Sequence, residues 1–110
     1  DLLDDASQTK TVTLGKDVTV TDTVRYDHLK IYSRYKVHTS IIYEDRDGNT
    51  SELGSTDTYF RPEKVDETNT GLGLIAAHVT VDTDELVGGK LHAVEVLVLC
   101  HLGPLSSSGF

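Results

Sequence analysis

The chain has 110 residues and a mass of 12.0 kDa, the size of one domain with a single hydrophobic core. Its 18 acidic and 10 basic residues give a formal net charge of −8. This charge argues against nucleic acid or anionic membranes as partners, because both need a basic footprint. Cys100 is the only cysteine, which excludes an internal disulfide. Since no apolar run approaches the roughly 20 residues of a membrane helix, we expect no membrane insertion in this fragment.

Strand-like segments follow one another along the chain, without a convincing helical pattern. The predicted strands are residues 9–14, 17–26, 34–44, 56–60, 74–83 and 91–99. In most of them apolar and polar side chains alternate with period two, so one face of each strand is expected to meet a core. The last segment is apolar on both faces, which is typical of a central strand. Residues 84–89 form at most one helical turn closed by glycine.

Turn and loop signals separate these segments. Residues 45–49 contain Asp47-Gly48, a pair suited to the positive dihedral angles of a hairpin turn. Residues 27–33 are predicted to be a connection and residues 63–73 a polar loop. Short strands rich in Thr and Val at regular spacing predict an all-β fold, an antiparallel immunoglobulin-like β-sandwich. We expect residues 1–102 to be one domain and residues 103–110 to be a linker or tail.

Asp22 interrupts the apolar face of the first long strand, which also carries Val18, Val20, Val24 and Tyr26. An ionised carboxylate in a core is costly unless it is paired, hydrogen-bonded or protonated. We therefore expect Asp22 to be mostly buried and either protonated or beside a hydrogen-bond donor. Its exposure at the end of a strand is the alternative.

The residue pattern gives little support for a metal site, a catalytic nucleophile or an isopeptide bond. The histidines lack the close spacing of a zinc motif, and no glycine-flanked nucleophile is present. Residues 45–51 begin like a calcium loop, but the glycine and the closing glutamate are misplaced. An isopeptide bond would need an Asn or Asp on the last strand, and neither occurs after Asp84. We predict no metal site, no cofactor and no enzymatic activity.

Basic and aromatic residues concentrate in residues 25–46. Tyr and Arg are favoured at protein interfaces. If the domain binds a partner directly, this region is the candidate surface. The alternative is a solvated strand face with core tyrosines. The candidate binding residues are Arg25, Tyr26, Arg34, Tyr35, Lys36 and Arg46.

Three blocks in order resemble the VaFE repeat, or T-Q ester-bond domain, of Gram-positive surface adhesins. They are residues 20–29 (VTDTVRYDHL), residues 59–62 (YFRP) with Gly71, and residues 79–95 (VTVDTDELVGGKLHAVE). The resemblance covers roughly residues 9–97. It implies an immunoglobulin-like stalk domain, extracellular and anchored to the cell wall through regions outside this fragment. Its expected partners are neighbouring domains of the same surface protein.

The resemblance also implies a chemistry, in which a Thr hydroxyl attacks a Gln carboxamide and expels ammonia while nearby acids shuttle the proton. Asp22, Glu95 and His101 are the candidate bond-assisting residues, and no residue is assigned as catalytic for turnover. Two departures from the family pattern matter: no Thr precedes Thr9, and the only glutamine, Gln8, lies at the wrong end.

These departures predict a structural stalk domain that lacks the internal Thr–Gln ester bond. The alternative function is a binding module that contacts a host protein or glycan through the basic and aromatic residues 25–46.

Overall fold

The computed structural model describes residues 1–8, 12, 14–62 and 71–100. Six strands account for most of them, and the described residues contain no helix. The strands are β1 (Leu2–Asp4), β2 (Val18–Leu29), β3 (Tyr35–Glu44), β4 (Thr50–Phe60), β5 (Gly71–Val81) and β6 (Lys90–Leu99).

The strands form two three-stranded sheets, with the order β1-β2-β5 in sheet 1 and β4-β3-β6 in sheet 2. Every pairing is antiparallel. The predicted antiparallel β-sandwich of immunoglobulin-like type is therefore confirmed.

The core lies between the two sheets and is built from the alternation visible in the sequence. Its central cluster is Val18, Val20, Ile41, Val79 and Val81. Full burial of one such side chain contributes about 1.5–3 kcal/mol. The Tyr26 ring lies over Gly73, its partner on β5, where an added Cβ would come within 2.6 Å of the tyrosine hydroxyl. This close approach explains why a glycine stands inside β5.

Several strand boundaries differ from the prediction. β2 continues to Leu29 through an irregularity at which His28 has a φ of 56°. β4 begins at Thr50 rather than at residue 56, because residues 50–55 pair with β3 although their sequence shows no clear alternation. β1 was not predicted at all. The strand predicted at residues 9–14 falls largely outside the described residues, and residues 12 and 14 are not in a strand.

As far as the described strands show, the sandwich is closed on one side and open on the other. On the closed side β4 lies against β5, and an added Cβ at Gly54 would be 3.3 Å from the carbonyl oxygen of Thr80. On the open side lie β1 and β6. The prediction of a central β6 is wrong for the described strands, because β3 pairs with both β4 and β6 and takes the central position.

Candidate carboxyl site between the two sheets

Asp22 lies on the inner face of sheet 1, in the middle of β2. Its backbone partners are Leu2 on β1 and Ala77 on β5. The residue is 2% exposed, so the burial predicted for it is confirmed. A carboxyl group at such a position needs hydrogen-bond donors or a proton, since burial removes its water.

Among the described residues, only one of the two carboxyl oxygens of Asp22 has a hydrogen-bond donor. The amino group of Asp1 lies 3.4 Å from Oδ1 and donates to the carbonyl oxygen of Thr23 at 2.9 Å. No amide, hydroxyl or ammonium group of the described residues donates to Oδ2, which is fully buried.

Glu95 is the titratable group of sheet 2 that interacts with Asp22. It lies on the inner face of β6, opposite Thr39 on β3. Although much of Glu95 is open to solvent, its pKa is raised above the ordinary value. The loss of solvent around the carboxyl group is the main cause, and the hydrogen bond and charge of Asp22 add to it. The amino group of Asp1 opposes the shift.

The two carboxyl groups can share one proton. Two carboxylates accept hydrogen bonds and cannot donate to each other, so their contact is favourable only when one is protonated. A proton on Glu95 supplies the donor that a contact between the two carboxyl groups needs. Such a pair can deliver a proton to a leaving group and recover one from a hydroxyl, which is the behaviour of a general acid and base.

A cleft of about 730 Å³ opens beside this pair, on the open side of the sandwich. Asp22 and Glu95 line it together with residues from β1, the end of β3 and the turn before β6. Val12 and Leu14, which precede β2, also line the cleft, so this segment of the chain bounds it as well.

Two buried polar residues of this region were not singled out from the sequence. Thr39 is 0% exposed, and its hydroxyl has no hydrogen-bond partner among the described residues. Asp4 is also buried, and its Oδ1 accepts the amide hydrogen of Ala6 at 2.9 Å. In the sequence Thr39 interrupts the apolar face of β3 as Asp22 interrupts that of β2, so the same signal could have found it.

The other candidate residues do not join one site. His101 lies outside the described residues. Arg25 is on the outer face of β2 and Lys36 on that of β3, so different sheets carry them. Arg46 is beside Gly88, at the far end of β3 from Arg34.

The predicted aromatic residues belong partly to the core. Tyr35 is buried, and its hydroxyl accepts the amide hydrogen of Lys30 at 2.9 Å. Tyr26 and Tyr35 both pack on Phe60, with ring centroids 5.0 and 5.7 Å apart.

In the hairpin that begins like a calcium loop, the first carboxylate, that of Asp45, accepts hydrogen bonds from the backbone of the same hairpin. Oδ1 of Asp45 accepts the amide hydrogens of Asp47 and Asn49, each at 2.9 Å. Across the described residues, no group of three His, Cys, Asp or Glu side chains is placed to hold a metal ion.

The fold and the site define an immunoglobulin-like β-sandwich in which a buried and a largely exposed carboxyl group interact across the two sheets. The family model for the T-Q ester bond containing domain matches residues 1–97, and the chain belongs to this family. The family is found in Gram-positive surface proteins and is a structural, adhesin-type domain. No curated protein matches the chain. Within the described residues, no helix is long and apolar enough to cross a membrane.

Proposed function

We propose that this chain is a structural stalk domain of a bacterial surface adhesin or pilus-like protein, located outside the cell and without catalytic turnover. Residues 1–102 would form the domain, residues 103–110 a linker or tail, and neighbouring domains of the same protein its partners. Family membership and the all-β sandwich support this role.

We further propose that these 110 residues form no Thr–Gln ester bond among themselves. The bond would join a threonine Oγ1 to the side-chain carbonyl carbon of a glutamine, break the C–N bond and release ammonia. The observation that carries this proposal is the position of Gln8, the only glutamine. It is exposed after β1, and its Nε2 donates to the carbonyl oxygen of Asp5 at 2.9 Å.

Gln8 is also absent from the residues that line the cleft beside Asp22 and Glu95. The carboxyl pair would thus have the chemistry to assist bond formation without a glutamine carboxamide in the cleft to act on. Its role in this chain would be to set the electrostatics of the open side of the sandwich.

Intact-mass measurement of the 110-residue protein tests the missing bond. The expected mass is that of the sequence, with no cross-linked peptide after digestion. A mass lower by one ammonia, together with a peptide that joins a threonine to Gln8, would refute the proposal. As a matched control, Gln8→Glu removes the carboxamide and should leave the chromatographic behaviour of every peptide except its own unchanged.

A second candidate function is the binding of a host protein or glycan, and one observation favours it. The guanidinium carbon of Arg34 lies 4.5 Å from the centroid of the Tyr59 ring, which is exposed. Nearby, Arg61 donates to the carbonyl oxygen of Tyr32, whose side chain is also exposed. These four residues offer flat aromatic and guanidinium surface, suited to sugar rings or to an interface.

Binding of labelled protein to a glycan array and to extracellular-matrix proteins tests this second candidate. Tyr59→Ala should remove at least half of any signal, while Lys90→Ala, at the other end of the same sheet, should leave it unchanged. Signal that survives Tyr59→Ala and an added Arg34→Ala would exclude this surface.

A further inference from the structure

The first and the last described strands both direct their outer ends toward the same end of the domain. This end, the tyrosine end, contains the rings of Tyr26 and Tyr35, which pack on Phe60. β6 runs toward the tyrosine end, since its last residue, Leu99, is opposite Tyr35. β2 also runs toward it, and β1 is antiparallel to β2. The start of β1, at Asp1, therefore faces the tyrosine end as well.

Asp1 and Cys100 lie at different heights above this end. The amino group of Asp1 donates to the carbonyl oxygen of Thr23 at 2.9 Å, and the amide of Thr23 donates to the carbonyl oxygen of Asp1 at 2.8 Å. Thr23 precedes Tyr26 by three residues, which is about 10 Å along a strand. The amide of Cys100 donates to the carbonyl oxygen of Arg34 at 2.8 Å, at the tyrosine end itself. Tension between residues 1 and 100 therefore pulls residue 1 away from the end that it faces.

This geometry loads the two strands differently. At residue 1 the force acts backward or sideways on β1, so the backbone hydrogen bonds to β2 carry the load one after another. At Cys100 the force acts along β6, so the bonds to β3 share the load. β1 has three residues and β6 has ten. β1 should therefore open at a lower force than β6, as a local unfolding event.

The rest of the sandwich does not depend on β1. From Val18 to Leu29, β2 keeps ten paired residues with β5. The central core cluster contains no residue of β1, and Leu2 packs against its margin. Force reaches residues 9–13 only after β1, because they follow β1 in the chain. The loss of β1 therefore leaves both sheets and the core between them in place.

We propose that β1 is a strap that tension opens before the sandwich unfolds and that closes again when the tension falls. The inference rests on the proposed stalk role, because neighbouring domains would supply the tension. Opening uncovers one edge of β2, including the buried Asp22, which lies opposite Leu2. Such a domain lengthens under low load while its core stays folded.

Optical tweezers on the 110-residue protein test the strap. Asp1→Cys and the native Cys100, the only cysteine of the chain, provide the two attachment points for DNA handles. Residues 101–110 then lie outside the tether. We expect an early, reversible lengthening of at least about 15 Å, since residues 1–5 span roughly 3.4 Å each when extended. Unfolding of the sandwich should follow at a higher force.

The matched control reverses the direction of the force on the same strand. It carries Asp1→Cys, Asp47→Cys and Cys100→Ser, and positions 1 and 47 are both exposed. Asp47 lies in the hairpin that follows β3, at the end of the domain opposite the tyrosine end. Tension now pulls residue 1 toward the tyrosine end, along β1, so its bonds share the load. The early event should move to a higher force or merge with unfolding.

A side-chain variant assigns the early event to β1. Thr21→Val in the first tether removes the hydrogen bond from Thr21 to Asp5, which follows β1. It should lower the force of the early event more than that of the main unfolding event. Thr23→Val, on the same face, is the control and should leave both forces unchanged.

Three results would overturn the proposal. They are a single unfolding event in the first tether, an early event at the same force in both directions, and an early event that Thr21→Val leaves unchanged. The stalk role fails separately. If antibodies against the domain do not label intact cells of the source while the strap opens as expected, the stalk role alone is refuted.

Discussion

Thr39 and Glu95 lie directly opposite each other on β3 and β6, and both face the interior of the sandwich. The hydroxyl of Thr39 is buried without a hydrogen-bond partner among the described residues. A polar residue of β3 thus lies beside Glu95, the acid whose pKa is raised mainly by loss of solvent and also by Asp22. The polar site between the sheets therefore includes Thr39 and Glu95 on the inner face of sheet 2 as well as Asp22 on that of sheet 1.

Replacing Thr39 with valine is expected to stabilise the fold. The two side chains have the same shape, and the change removes a buried hydroxyl that lacks a partner. Leaving such a group unsatisfied costs about 1–3 kcal/mol, so we expect a gain of about 1 kcal/mol in the free energy of unfolding by urea denaturation. Thr50→Val, on an exposed strand position, is the control and should change little. A loss of stability in Thr39→Val would show that the hydroxyl has a partner, with Glu95 the nearest candidate.

Much of the fold could be predicted because β2, β3 and β5 each have one solvated and one buried face. The alternation of apolar and polar residues in the sequence indicates directly which face of each strand is buried. β4 was predicted too short because residues 50–55 are polar or glycine and are held extended by pairing with β3, a distant segment. The position of β6 at an edge also depends on which strands pair, and the residues of a single strand do not encode it.

Part of the site was also visible in the sequence. Asp22 could be found because a charge among valines is costly, whereas Glu95 entered only through the family resemblance. Thr39 is visible between the apolar residues of its strand, but threonine is common on both faces of strands, so its position alone did not indicate a site. Asp22 and Glu95 lie on strands of different sheets. Their contact therefore depends on how the sheets pack, which the periodicity of a single strand cannot show.

The outer face of sheet 1 contains a side-chain cluster that ties the start of the chain to the sheet. The hydroxyl of Thr21 donates to Asp5 and lies 2.8 Å from Nδ1 of His78. Because the single hydroxyl hydrogen goes to Asp5, Nδ1 of His78 has to act as the donor to Thr21. Thr21→Val removes both bonds, and we expect a loss of about 1 kcal/mol with faster amide exchange in β1. Thr23→Val, on the same face, is the control, and equal exchange in both variants would contradict this role.

The hairpin between β3 and β4 should weaken in acid. Asn49 and its neighbours donate to the Asp45 carboxylate, and the backbone hydrogen bond from Asn49 is the main cause of a pKa below its ordinary value of 3.8. The carboxylate form is bound better in the folded hairpin, so its stabilising effect is present above pH 3.8 and is lost as the pH falls through the lower folded-state pKa. NMR titration should give a pKa below 3.8 for Asp45. Asp45→Ala should accelerate amide exchange at Asn49 even at neutral pH, whereas Asp47→Ala should not.

Glu95 should change the stability of the domain with pH in the direction opposite to that of Asp45, lowering it as the pH rises. Its raised pKa means that the folded state holds the proton more tightly than the unfolded chain does. The stabilising effect of the protonated form is complete below the ordinary pKa of 4.5 and is lost as the pH rises through the folded-state value. Above that range, an ionised Glu95 beside Asp22 works against folding.

The variant Glu95→Gln separates the contribution of Glu95 to the pH dependence of stability from the contributions of the other titratable groups. The carboxamide imitates the protonated acid, since its Nε2 can donate to the Asp22 carboxylate at every pH. We therefore expect the variant and the parent to have similar unfolding free energies below pH 4.5, and the variant to become the more stable of the two as the pH rises. Urea denaturation at a series of pH values measures this difference. Glu52→Gln, on the exposed start of β4, is the matched control and should follow the parent. A difference between Glu95→Gln and the parent that stays constant with pH would mean that the two carboxyl groups do not share a proton.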